Sequence, residues 1–165
     1  MSLHDPKTLD LPFEKLFELT DRLDFFNTLQ KHQRIKVLKQ LSGEVFVYSD
    51  EQIIIEEGST ENQLFIILSG SVNVLKGQEQ FTSVGTIKSG DFFGEISFIM
   101  RSKRTASVVA KEKTIVLRLS QDNFSTLDIM VQSLMKDKVM IKLVTRLNNM
   151  NHAVIKLLDK LDKED

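Results

Sequence analysis

Between Gly90 and Ala110 the chain sets two glycines and a carboxylate ahead of an arginine: Gly90-Asp91-Phe92-Phe93-Gly94-Glu95-Ile96-Ser97, then Arg104-Thr105-Ala106. Gly90 permits a tight turn, and Gly94 keeps the backbone free of side-chain obstruction. Glu95 is placed to open a short helix whose free N–H groups point outward at an anion. Arg104, nine residues past Glu95, can return over that turn and grip the same anion as a planar two-pronged donor. Ser97 and Thr105 add hydroxyls in the same loop. The chemistry implied is capture of a small, singly charged phosphate together with a sugar hydroxyl. The plainer alternatives are a surface arginine and an acid that merely favours a helix N-terminus.

For these residues to meet, a turn, a short helix and a returning strand must sit on a rigid frame. From Leu11 to Leu41 the apolar residues Phe13, Leu16, Phe17, Leu19, Leu23, Phe26, Leu29, Ile35, Val37, Leu38 and Leu41 recur at three-to-four spacing, which predicts helices. Ser42-Gly43 reads as their stop. From Val45 to Leu119 the pattern changes to short β-branched and aromatic runs split by glycine and polar pairs. Strands are expected at Val45–Tyr48, Gln52–Ile55, Leu64–Leu68, Ser71–Leu75, Phe81–Ile87, Phe92–Phe93, Ala106–Ala110 and Thr114–Leu119. About eight short strands at this spacing predict a closed or double-sheet antiparallel architecture. From Ser120 the chain is helical again, with Ser120 or Asp122 as the first cap. The expected division is a helical lead-in over 1–42, a β-roll over 43–120, and a hinge with a long helix over 121–165. Together these form one compact domain.

The last zone carries a pattern of its own. Met140, Leu143, Leu147, Met150, Val154, Leu157 and Leu161 are spaced 3, 4, 3, 4, 3, 4, an a/d heptad seam expected of a helix that pairs with a second copy. Ile141, Val144, Ile155 and Leu158 widen that face, so packing on the chain's own β-roll is the competing explanation. Asn148-Asn149-Met150-Asn151 interrupts the run with weak helix formers.

Charge and composition exclude several classes. A net charge of −1 gives no general attraction for nucleic acid or anionic membranes. No segment approaches the ~20 consecutive apolar residues of a membrane span, and Met1 to Asp10 lacks the apolar core of a signal peptide. Met1-Ser2-Leu3 has the look of a cloning remnant. Zero cysteines exclude disulfides and thiolate metal sites and fit a cytoplasmic location. His4, His32 and His152 fall in a tail and two helical regions, so the imidazole cluster of a jelly-roll metalloenzyme is not expected. Nor is there a nucleophile elbow, a Walker phosphate loop or a His-Glu-x-x-His helix. No enzymatic chemistry is expected. No recognition helix follows the long C-terminal one, so DNA binding is not expected either.

Phe93-Gly94-Glu95 and Arg104-Thr105-Ala106 resemble the phosphate-binding cassette of the cyclic nucleotide-binding domain family. That cassette reads Phe-Gly-Glu, a short helix, then Arg-(Thr/Ser/Ala)-Ala. The resemblance extends to Ile54-Ile55-Glu56-Glu57-Gly58 and to the hairpin Leu64-Phe65-Ile66-Ile67-Leu68-Ser69-Gly70-Ser71-Val72, and covers the chain from about Phe25 on. It is shared with catabolite activator proteins, cyclic nucleotide-dependent kinase regulatory domains and cyclic nucleotide-regulated channels. It implies a mainly β fold with flanking helices: an antiparallel, jelly-roll-like double-stranded β-roll with a long C-terminal helix.

The resemblance also implies roles. Arg104 would bind the cyclic phosphate, Glu95 the ribose 2′-hydroxyl, and Gly94 and Ile96 would offer backbone N–H groups. Phe93, Ser97, Thr105 and Ala106 would complete the pocket, with Asn149 and Asn151 of the C-terminal helix over the purine. The implied ligand is cAMP or cGMP, with cAMP favoured, and no cofactor is required. Lys103 stands where the family usually has proline, Ser97 where it usually has alanine, and Ser49-Asp50-Glu51 where a turn usually carries glycine. None of these removes a ligand contact. The function expected is a sensor that couples ligand binding to movement of its C-terminal helix; the contrasting expectation is a ligand-free dimeric scaffold that keeps the roll.

Overall fold

Apolar residues at helical spacing fold as three helices: α1 (Phe13–Asp21), α2 (Asp24–Asn27) and α3 (Lys31–Leu41). A 3-10 turn at Ser42–Glu44 ends the last of them, where Ser42-Gly43 predicted a stop. α3 starts with a capping box in which Gln30 and Gln33 serve each other's backbone. It is pinned to α1 by Arg34, whose Nη2 donates to Asp21 Oδ1 at 2.8 Å while its guanidinium lies 4.0 Å from the Phe17 ring centre. The computed structural model describes residues 6–77 and 80–161. The Met1-Ser2-Leu3 start, His4 and the acidic residues past Leu161 lie outside the described residues.

Among the described residues nine strands form two antiparallel sheets. In chain order they are β1 (Lys7–Thr8), β2 (Val45–Tyr48), β3 (Ile53–Ile55), β4 (Leu64–Ser69), β5 (Ser71–Lys76), β6 (Thr82–Lys88), β7 (Phe92–Phe93), β8 (Ser107–Ala110) and β9 (Thr114–Leu119). One sheet runs β1-β2-β9-β4-β7 and the other β3-β8-β5-β6. Eight of these are the expected strands, shifted by one residue at most at any boundary. The ninth, β1, is a polar dipeptide that becomes a strand only by pairing Lys7 with Val47 and Thr8 with Phe46. The turn between β2 and β3 puts Glu51, not Asp50, in the left-handed region (φ 61°), and its N–H donates to the Ala110 carbonyl.

The period of two along the central strands explains why there are two cores. In β4, Phe65 and Ile67 point between the sheets, where they pack with Tyr48, Ile55, Val72 and Val116. Leu64, Ile66 and Leu68 point the other way, onto the helices. A strand buried on both faces reads as one unbroken apolar run, as Leu64–Leu68 does. β7 divides in the same way: Phe92 joins the helix-side core and Phe93 the inter-sheet core.

α4 (Glu95–Met100) follows β7, and α5 (Gln121–Ser125) follows β9. Ser120 caps α5 by accepting from the Asn123 N–H at 3.1 Å, the first of the two caps expected. α6 (Ile129–Leu161) is 33 residues long, about 50 Å at the α-helical rise. It runs unbroken through Asn148–Asn151, all of them exposed. Two or three weak helix formers cost only a few tenths of a kcal/mol each, too little to break a helix of this length. Val131, Met135 and Val139 bury its first half against the helix-side core. Every residue from Leu147 to Leu161 is exposed. Among the described residues no helix is long and apolar enough to cross a membrane.

Candidate functional site

The site is built where β7 ends. Phe93 stacks on Phe65 of β4, ring centres 5.1 Å apart and planes 8° from parallel, which fixes the strand that leads into it. Gly94 follows at φ +82° and serves as the N-cap of α4. A Cβ there would lie 2.7 Å from both Arg104 Nη1 and the Gln63 carbonyl oxygen. Glycine is therefore required twice, by conformation and by space.

Arg104 closes over this turn from the other side and is 3% exposed. Its Nη1 donates to the Gly94 carbonyl at 2.9 Å and its Nη2 to the Gln63 carbonyl at 2.7 Å. Its Nε is buried without a hydrogen-bond partner. Burial pulls the guanidinium below its usual pKa, opposed by the carboxylates of Glu61 and Glu95. A buried cation with an unused donor is costly unless an anion or polar group meets it.

Glu95, the first residue of α4, is 7% exposed. Its Oε1 accepts from Arg146 Nη1 of α6 at 2.6 Å, a short charge-assisted bond. Arg146 Nη2 also donates to Asp91 Oδ1 at 3.1 Å and to the Phe92 carbonyl at 2.8 Å. Lys142, one turn earlier, pairs with Asp91 Oδ2 at 3.2 Å. Sequence reasoning missed both cations. A single arginine in a helix gives no local signal, and the partners of Arg146 lie 51 and 55 residues away.

Gly94, Glu95, Arg104 and Arg146 together frame a cleft of about 140 Å³. Of the residues expected in the site, Phe93, Gly94, Glu95, Ile96, Ser97, Arg104, Thr105 and Ala106 all line it. Ile55, Val74, Ile87 and Val108 add an apolar wall that the motif did not reveal. Ser97 is buried, and its hydroxyl donates to the Lys103 carbonyl at 3.3 Å. It therefore braces the loop before Arg104. Thr105 is exposed, and its carbonyl accepts from Lys76 Nζ. Asn149 and Asn151 are exposed and do not line the cleft, because α6 has left the roll beyond Arg146. The side chain that α6 delivers is Arg146.

A small cavity with a carboxylate and two guanidiniums at one end and aliphatic side chains at the other suits an anion joined to a hydroxyl-bearing ring and a flat apolar group. The sequence model described as the cyclic nucleotide-binding domain matches residues 45–128. A cAMP-dependent protein kinase regulatory subunit of Hypocrea atroviridis is 31% identical over 107 residues, which are 65% of this chain and 22% of that subunit. The chain thus spans less than a quarter of that relative. Among solved structures, the catabolite activator protein of Thermus thermophilus superposes with a TM-score of 0.69 at 24% identity, over 81% of this chain and 62% of that one. The regulatory domain of Toxoplasma gondii PKA, solved with cAMP, gives 0.62 at 22% identity, over 78% of this chain and 49% of that one.

Proposed function

The chain belongs to the cyclic nucleotide-binding domain family, and we propose that it senses a cyclic nucleoside monophosphate, cAMP before cGMP, in the cleft between Gly94 and Arg104. One observation carries the reading: the buried Arg104 Nε, unpartnered at the lip of a turn where only glycine fits. A cyclic phosphate lying against the N-terminal turn of α4 would accept from Arg104 and from free N–H groups near Glu95 and Ile96. Arg146 holds Glu95 Oε1, while Oε2 remains available to accept from the ribose 2′-hydroxyl. The purine would rest on the aliphatic wall beside Thr105 and Ala106. The kinase relative named for its dependence on cAMP supports the same ligand. No step here calls for catalysis, and we read the domain as regulatory and cytoplasmic.

The route from ligand to output runs through α4. Its first residue, Glu95, touches α6 through Arg146, and Phe98 on its buried face meets Phe124 of α5 edge-on at 5.5 Å. Gln121 of α5 also donates to the Phe98 carbonyl. A ligand that shifts α4 therefore acts on α5 and α6 at two points. It can bias the helix position only by its differential affinity for the two arrangements.

The exposed half of α6 is proposed as a homodimer seam through Met140, Leu147, Asn151, Val154, Leu158 and Leu161, with Met150 and Leu157 of the expected seam beside it. Leu143 of the expected seam packs against the chain's own helix-side core. Its neighbour Val144, which is exposed, takes its place in the face.

Calorimetric titration of cAMP and cGMP into the protein and into Arg104→Ala tests the site. Binding should collapse by tens- to thousands-fold in the variant, the ~2–5 kcal/mol of a desolvated charge contact. If neither nucleotide gives heat or a thermal shift with the intact protein, the domain is the ligand-free scaffold. A real site at ~100 times its Kd would add about 2.7 kcal/mol of stability.

A further inference from the structure

A second cavity lies on the other side of α4 from the nucleotide cleft. It measures about 490 Å³, within the ~300–1,000 Å³ of small-molecule sites and larger than the cleft that holds Arg104. Its walls are the rings of Phe25, Phe98 and Phe124 with Leu119, Met135 and Val139, all buried. They come from α2, α4, α5, α6 and β9, so the space sits where these elements converge. The space is open to solvent on one side, where Ile99 and Met140 are more than half exposed, so a ligand could enter it and bury an apolar body against these walls.

The polar groups around it divide into two kinds. Gln121 donates to the Phe98 carbonyl and Gln132 to the Leu127 carbonyl at 2.9 Å, so both amides are satisfied within the protein. Arg101 and Lys136 are exposed lining residues, and among the described residues neither side chain has a carboxylate partner. Lys136 has only the Phe124 ring, 5.5 Å from its Nζ. No acidic residue lines the cavity. Two unpaired cations at the mouth of an apolar cavity select a ligand with a hydrocarbon body and one anionic head. A neutral apolar molecule would forgo the charge-assisted bonds.

We propose that this cavity is a second ligand site, for a free amphipathic monocarboxylate of the medium-chain fatty acid class. The hydrocarbon chain lies among Phe25, Phe98, Phe124 and Met135, and the carboxylate meets Arg101 and Lys136. The proposal does not depend on the nucleotide reading, because the two sites share no lining residue.

The test is calorimetric titration of decanoate, below its micelle concentration, into nucleotide-free protein. Decanol and a short-chain carboxylate serve as the headless and tailless controls. Saturable binding of decanoate at one site per chain is expected, with decanol about tenfold weaker, as one lost charge-assisted contact predicts. The double variant Arg101→Ala/Lys136→Ala should bind decanoate and decanol alike, with decanol affinity unchanged from the parent. Ile99→Trp, at a wall position that is 52% exposed and so tolerant of bulk, should abolish both. Heat that never saturates, or decanoate binding that survives Ile99→Trp in a folded protein, overturns the proposal. So does short-chain carboxylate binding as tight as decanoate, because the cavity would then be irrelevant.

Discussion

Gly94 has little room to change. Its positive φ excludes most side chains, and an added Cβ would press on a backbone carbonyl that cannot swing away. Gly94→Ala should lower stability by roughly 1–3 kcal/mol and displace Arg104, weakening nucleotide binding at the same time. Gly43, with nothing within 4 Å, is the control, and Gly43→Ala should stay within about 0.5 kcal/mol. Denaturant midpoints compare the two, and equal midpoints would show that the turn at Gly94 is not under constraint. Tyr48 offers a second residue-scale prediction. It is the chain's only tyrosine, 4% exposed, and its pKa is pushed up to about 12 by burial, with Arg118 pulling it down and Glu61 adding to the rise. Below about pH 10 the phenol is neutral in both states and its burial carries no ionic penalty. As pH rises from 10 to 12 the unfolded chain ionises first, so the protein should lose roughly 2 kcal/mol across that window. Phenolate absorbance reads this one group directly, and Tyr48→Phe should flatten the slope. An ordinary midpoint near 10 in the folded protein would contradict the burial argument.

Elements were legible to different degrees, for physical reasons. Strands rich in Val, Ile and Phe announce themselves because those side chains fit a pleated, buried surface, and so eight of nine stood out. β1 did not, because Lys7-Thr8 has no strand chemistry and owes its conformation to β2. Gly94, Glu95 and Arg104 were legible because a turn and a helix start have local requirements. The grip of Arg146 on Glu95 was not, since it joins elements far apart in the chain and only the fold brings them together. That grip can be measured. Arg146→Ala leaves Glu95 buried beside Arg104 without its α6 partner, which should cost about 1–3 kcal/mol and loosen the first half of α6. Amide exchange over residues 129–146 should then speed up while the strands keep their protection. Uniform exchange in both proteins would mean that Val131, Met135 and Val139 hold the helix unaided. Ser120→Ala, removing the cap of α5, should cost about 1 kcal/mol and is the matched control at the hinge.

At the scale of the whole molecule, the second half of α6 leaves a long apolar stripe uncovered. Met140, Val144, Leu147, Val154, Leu158 and Leu161 are all more than half exposed, and their spacing closes into a heptad register only with Asn151 between Leu147 and Val154. Isolated apolar residues on a surface need no explanation, but a stripe of this length on one helix marks an interaction face. The sequence pattern pointed to that stripe but not to its register, because Leu143 and Val144 are equally apolar and only the fold commits Leu143 to the roll. A second copy fits the face because a heptad seam is complementary to itself, and an asparagine within it favours a defined register at some cost in stability. Sedimentation equilibrium of the intact chain should therefore show a dimer, and Leu147→Glu/Val154→Glu should give a folded monomer. Asn151→Leu should remove the polar position and yield a more stable assembly that populates trimers or tetramers as well. A monomeric intact chain at high micromolar concentration would sink the seam. A dimer that survives the double glutamate variant would move the interface away from α6 altogether.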